Sequence, residues 1–170
     1  FWMDPIRVGD AAVALATDLA ERHPGGTWMD RAQRYAGEME DVDLVVADLL
    51  AVVPEEARSM VTNHEAFGYF AQRYGFEVTG VVIPGGSTLA EPSSAELAAL
   101  VDEMRRDGAR VIFAETTQPT ALADAVAAEL GEEVEVVELF TESLGSEGSG
   151  AETLAELLET NAGRIAESLR

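Results

Sequence analysis

Ser59-Met60-Val61-Thr62-Asn63-His64-Glu65-Ala66-Phe67-Gly68-Tyr69-Phe70-Ala71-Gln72-Arg73-Tyr74-Gly75-Phe76 is the stretch that decides the fold. Ser59 to Thr62 reads as a short strand, Glu65 to Tyr74 as a helix that Gly75 stops, and Phe76 to Ile83 as a β-rich run ending at Pro84-Gly85-Gly86. His64, one of two histidines in the chain, falls at the corner between strand and helix. A polar side chain displayed there points out of the core, toward whatever lies over the strand ends.

Downstream the same alternation continues. Glu91-Pro92-Ser93-Ser94 opens a helix through Arg106 with Ser93 as its cap, and Gly108 ends it. Arg110 to Ala114 is a buried strand, Pro119 to Leu130 a helix closed by Gly131, and Val134 to Leu139 a fourth strand. Strand, helix, strand, helix, strand, helix, strand predicts an α/β fold with a parallel four-stranded sheet flanked by helices. Thr141 to Gly150, rich in glycine and serine, reads as a mobile surface loop before a last helix from Ala151 to Leu169.

Upstream the pattern is helical only. Asp4 caps and Pro5 starts an alanine-rich helix from Ile6 to Glu21. His23-Pro24-Gly25-Gly26 breaks it, and Thr27 is placed to cap a second helix from Met29 to Leu50, which ends before Pro54. His23 belongs to that surface turn, and Phe1, Trp2 and Trp28 read as core or inter-lobe packing rather than ligand platforms.

The 170 residues carry 32 acidic and 11 basic side chains, for a formal charge of -21. Every basic one is arginine. Such a field disfavours nucleic acid and anionic membranes and favours cations, although an acidic surface also serves solubility alone. The absence of cysteine excludes disulfides, thiolate metal sites and cysteine nucleophiles. No apolar run approaches the ~20 residues of a membrane-spanning helix. Neither a GxxxxGK[ST] loop nor a GxGxxG fingerprint occurs, and no serine sits in a GxSxG elbow. A metal hydrolase would need several ligands, an open position and a base, and only one credible histidine is present.

Three polar residues fall just after predicted strands: His64 after the first, Glu115 after the third and Glu142 after the fourth. Ligands of parallel α/β sheets bind at the carboxyl ends of the strands, so topology converges the three on one edge. An imidazole nitrogen with carboxylate oxygens suits divalent zinc or manganese. Read as residues alone, a lone histidine such as His64 is more often a structural hydrogen-bonding residue or helix cap than a ligand, and Asn63 could equally be the cap of the following helix. Glu115 is more readily an acceptor for amides near Pro119 or for Thr116 and Thr117, or a group behind the ligands, than a ligand itself. Glu142 is a movable carboxylate that closes on a cation or faces solvent.

Several ordered motifs resemble the carboxyl-terminal half of the zinc or manganese substrate-binding proteins of ABC transporters, the cluster that includes adhesin-like lipoproteins. Phe1-Trp2-Met3-Asp4-Pro5 is similar to the end of a His-x-Trp-x-Asp-Pro element. Val61-Thr62-Asn63-His64-Glu65-Ala66-Phe67-Gly68-Tyr69-Phe70 with Tyr74-Gly75 is the most specific match. Glu91-Pro92-Ser93, Ile112-Phe113-Ala114-Glu115 and Leu139-Phe140-Thr141-Glu142-Ser143-Leu144 follow in the family's order.

The resemblance implies one lobe of a two-lobed, helix-linked protein with a divalent cation, zinc or manganese, held in the cleft as transported ligand. It implies His64 as a ligand, Glu142 in the place of the usual aspartate, and Glu115 beside the site behind the ligands. Residues 1–26 would be part of the inter-lobe linking helix and its turn, and residues 27–170 the carboxyl-terminal lobe. The amino-terminal lobe would lie upstream, with one histidine ligand of its own and another just before Phe1, so that this chain is a fragment holding half of the site. The implied partners are the metal ion, an ABC permease and the missing lobe, in the periplasm or on a lipid anchor outside the cytoplasmic membrane, with no catalysis. Acidification from about pH 7.5 to about 5 is expected to weaken binding as protons compete for the ligands. A surface adhesin with incidental metal, and less so a metal-dependent hydrolase, are the rival readings.

Overall fold

The computed structural model describes residues 1–83, 92–131 and 133–170. Six α-helices and four strands are described, with one 3-10 turn at Glu55–Ala57: α1 (Pro5–Arg22), α2 (Trp28–Leu50), β1 (Ser59–Thr62), α3 (Gly68–Tyr74), β2 (Glu77–Val81), α4 (Ser94–Asp107), β3 (Val111–Glu115), α5 (Ala121–Leu130), β4 (Glu135–Leu139) and α6 (Leu154–Leu169). The strands form one sheet in the order β2-β1-β3-β4, and every pairing is parallel. The parallel four-stranded α/β sheet read from the alternation is therefore the observed fold. Among the described residues no helix is long and apolar enough to cross a membrane.

Side chains alternate across a strand with a period of two, and both faces of this sheet are covered. Met60, Phe113 and Leu139 face one core, closed by Val46, Phe67, Phe70 and Leu158. Val61, Ile112 and Ala114 face the other, closed by Leu100, Val101, Met104, Ala123 and Val126. All five residues of β3 are buried, as expected of a central parallel strand. Truncating Phe113 there would cost about 3–5 kcal/mol.

α1 stands off the sheet, as its place outside the alternation implied. It packs along α2, and α2 packs against α6. Gly9 permits the close approach, since a Cβ there would come 3.2 Å from the Cα of Ala36. Residues 23–27 form the turn between α1 and α2, and the Trp28 indole donates to the His23 carbonyl across it (3.1 Å).

Three helix starts and two expected caps differ from the sequence reading. α3 starts at Gly68, not Glu65, because the His64 carbonyl accepts from the Thr62 hydroxyl and the Ala66 amide, both 2.9 Å away. That closes a turn where a helical turn was expected. The position before α3 is Phe67, without a side-chain cap, so Asn63 does not cap it. α6 begins at Leu154 behind a Thr153/Glu156 capping box rather than at Ala151. α5 begins at Ala121 rather than Pro119, and Thr27 precedes α2 without a side-chain cap bond. Ser93 does cap α4, in a box with Glu96, and Gly75 ends α3 in the left-handed region at φ 72°. Pro84-Gly85-Gly86 and Glu91 lie outside the described residues.

Candidate functional site

β1 ends at a corner fixed on both sides. The Asn63 amide donates to the Phe113 carbonyl and the Asn63 carbonyl accepts from the Ile83 amide, each at 2.9 Å. This delivers His64 over the carboxyl edge of the sheet, where the residue is only 6% exposed. Its neighbour across that edge is Glu115, the last residue of β3 and fully buried.

Glu115 Oε1 meets Nδ1 of His64 in a direct hydrogen bond, and Oε2 accepts from the Thr141 hydroxyl at 2.7 Å. A carboxylate only accepts, so with Glu115 ionised the proton of this contact belongs to Nδ1, and in the neutral form of the ring the lone pair then lies on Nε2. The amides near Pro119 and the hydroxyls of Thr116 and Thr117 are not partners of the Glu115 carboxylate; the Gln118 amide donates instead to the Glu115 backbone carbonyl (3.1 Å). Engagement of both oxygens turns Glu115 toward the imidazole.

Glu142 approaches from the other side. The segment after β4 is held at Phe140, whose amide donates to Asn161 Oδ1 (2.9 Å) and whose carbonyl accepts from Asn161 Nδ2 (2.6 Å). Thr141 is buried, and its carbonyl accepts from the Trp2 indole at 2.8 Å. Glu142 then projects, half-exposed, with Oε1 3.4 Å from Nε2 of His64. The three residues picked from the strand ends are therefore brought together, Glu115 on one ring nitrogen and Glu142 beside the other.

The exposed edge of His64 and Glu142 opens on a cavity of about 320 Å³ walled by Phe1, Trp2, Tyr69 and Gln72. Phe1 and Trp2 are thus not core residues: they stack edge to face with centroids 5.9 Å apart and border the cavity. His23 is exposed in its turn and takes no part. Among the described residues no group of three or more histidine, aspartate or glutamate side chains is placed to hold a metal ion.

Behind the cavity, α3 is clamped to the helical layer. Arg73 makes a two-pronged ion pair with Asp43 and lies 3.6 Å from Asp4. The Tyr74 hydroxyl donates to Asp43 at 2.9 Å. The Arg73 hydrogen bond holds the Asp43 carboxyl below its ordinary range against a smaller opposing effect of burial. Burial first, and the bond to Asp43 second, push the Tyr74 phenol up.

Two supports escaped the sequence reading. Asn161 is a polar residue on the apolar stripe of α6 beside Leu157, Leu158, Ala162 and Ile165, and that break in pattern was its visible signal. Thr141 carried none beyond its place next to Glu142.

A family described as zinc-uptake complex component A, periplasmic, matches residues 1–168. The manganese-binding lipoprotein MntA of Halalkalibacterium halodurans is 27% identical over 162 residues, covering 94% of this chain and 53% of that protein. The zinc-binding protein TroA of Treponema pallidum is 32% identical over 175 residues, 99% of this chain and 56% of its own. The chain spans about half the length of these relatives. Among solved structures, the periplasmic zinc-binding TroA superposes with a TM-score of 0.83 at 31% identity, over 99% of this chain and 62% of that one. A manganese-bound periplasmic metal-binding protein of Candidatus Liberibacter asiaticus superposes at 0.84 over the same shares, with 22% identity, and is a likeness of fold.

Proposed function

Because the chain belongs to the zinc-uptake complex component A periplasmic family, a family of transport components and not of enzymes, we propose that it is part of a solute-binding protein that captures a divalent zinc or manganese ion outside the cytoplasmic membrane. The protein hands the ion to an ABC permease, and it is periplasmic or lipid-anchored at the membrane surface. His64 and Glu142 are the ligands contributed here, and Glu115 orients the imidazole from behind. Residues 27–170 make the carboxyl-terminal lobe and residues 1–26 part of the connection to an amino-terminal lobe, which supplies the remaining ligands.

The observation that carries this reading is the 3.4 Å separation of His64 Nε2 and Glu142 Oε1. Two ligand atoms each about 2.1 Å from one tetrahedral ion stand about 3.4 Å apart. A neutral imidazole whose far nitrogen is bonded to a carboxylate is the arrangement in which metal-binding histidines are held. Two donors leave the rest of a coordination shell open, which agrees with half a site. The manganese and zinc named for MntA and TroA set the two ions to be compared.

The test is a chelator-competition titration of zinc and manganese on the full-length protein beside its His64→Ala variant. Tight one-to-one binding that collapses in the variant is expected. Binding that is absent, or indifferent to His64, would reject the site.

A further inference from the structure

The geometry points to Thr141 as the positioning residue that fixes which nitrogen of His64 faces the cavity. This rests on the metal-site reading above. A carboxylate behind a histidine orients the ring only if its own plane is held, since rotation about its terminal torsion carries the acceptor oxygen away from Nδ1. Such terminal torsions are broad and roughly two-fold, with little intrinsic preference.

Here the plane is set by two donors on opposite oxygens, Nδ1–H of His64 on Oε1 and the Thr141 hydroxyl on Oε2. Glu115 is fully buried and Thr141 nearly so, so no solvent competes for either bond. Thr141 is itself immobilised: its carbonyl receives the Trp2 indole, and the preceding Phe140 peptide groups are gripped by Asn161. The hydroxyl that locks Glu115 therefore belongs to the residue next to Glu142. One anchored dipeptide supplies a proposed ligand and, through Glu115, sets the direction of the other.

The consequence is an affinity effect without contact between Thr141 and the metal. Loss of the hydroxyl leaves Oε2 of a buried carboxylate without its donor and frees Glu115 to turn. His64 then samples the tautomer and tilt in which Nε2 carries the proton and its lone pair no longer faces the cavity.

Zinc affinity by chelator competition, and the ring-nitrogen NMR signals of His64 in the metal-free state, are measured on full-length wild type, Thr141→Val, Thr141→Ser and His64→Ala. Thr141→Val is expected to weaken zinc binding about 10–100-fold and Thr141→Ser to return most of it, the range seen when such outer partners are removed. Wild type and Thr141→Ser should show a protonated Nδ1 and an unprotonated Nε2, and Thr141→Val a mixture. If Thr141→Val binds like wild type while His64→Ala does not, the positioning role is overturned and the metal site stands. If wild type binds neither zinc nor manganese, both fall. Should Thr141→Val fail to fold, the wild-type signals decide, and an unprotonated Nδ1 overturns the proposal.

Discussion

Asp43 on α2 and Arg73 on α3 meet in a two-pronged ion pair, Nε to Oδ1 and Nη2 to Oδ2, and Tyr74 adds a third bond to the same carboxylate. The pair ties the helix bordering the cavity to the long helix behind it. Since the folded state holds Asp43 below its ordinary value of 3.8, it contributes stability that is present above that value and is lost as pH falls through the folded value. Asp43→Asn should therefore flatten the acid limb of a stability-against-pH curve measured by urea unfolding from about pH 5 down to about 2. A limb as steep as that of wild type would show that other carboxylates govern it.

The opposite limb belongs to Tyr74. Its phenol is raised from an ordinary 10.0, so its contribution is whole below that pH and declines as pH rises toward the folded value. Tyr74→Phe, which keeps the ring against Phe70 (centroids 4.8 Å), should be less sensitive than wild type to unfolding above about pH 10. Equal alkaline sensitivity would contradict this.

Glu142 is half-exposed and its carbon chain can extend or fold back. Glu142→Asp should keep zinc binding within about 10-fold, because a carboxylate remains at the same position on the cavity rim, whereas Glu142→Ala should lose more than Thr141→Val does. Isothermal titration of the full-length protein checks the order, and an alanine variant that binds as wild type does would remove Glu142 from the ligand set.

Asn161 satisfies both peptide groups of Phe140 from within α6. Asn161→Leu matches the surrounding apolar stripe and fills similar space, yet orphans a buried amide and a buried carbonyl. The expected cost is about 1–3 kcal/mol for each group left unpaired, read as a lower urea midpoint with an unchanged slope. A neutral substitution would mean that Phe140 finds other partners.

The strand-helix alternation was legible because each element carried its own punctuation. β1 runs from Ser59 to Thr62 as read from the sequence, and Gly75 and Gly108 end α3 and α4 in left-handed caps. The convergence of His64, Glu115 and Glu142 was legible too, since a parallel sheet brings all its strand ends to one edge. What the sequence hid is what long-range bonds decide. The turn at residues 63–67 forms because Thr62 reaches the His64 carbonyl, a choice that helix propensity cannot register. Glu115 was open among several local acceptor roles, because its partners lie 51 and 26 residues away. The late start of α6 was readable in the Thr153-Leu154-Ala155-Glu156 box, which the alanine and leucine content of the neighbouring residues obscured.

The Trp2–Thr141 bond joins residues 139 apart in sequence, and it brings the first turn of the chain to the rim of the cavity. On the metal-site reading, a donor side chain borne just before Phe1 would be carried by the fold itself to the same rim as His64 and Glu142. The entropy of closing so long a loop is lost when the chain folds, before any ion arrives. On the metal-site reading, capture of a dilute ion would then need only local adjustment of a rim that folding has already assembled.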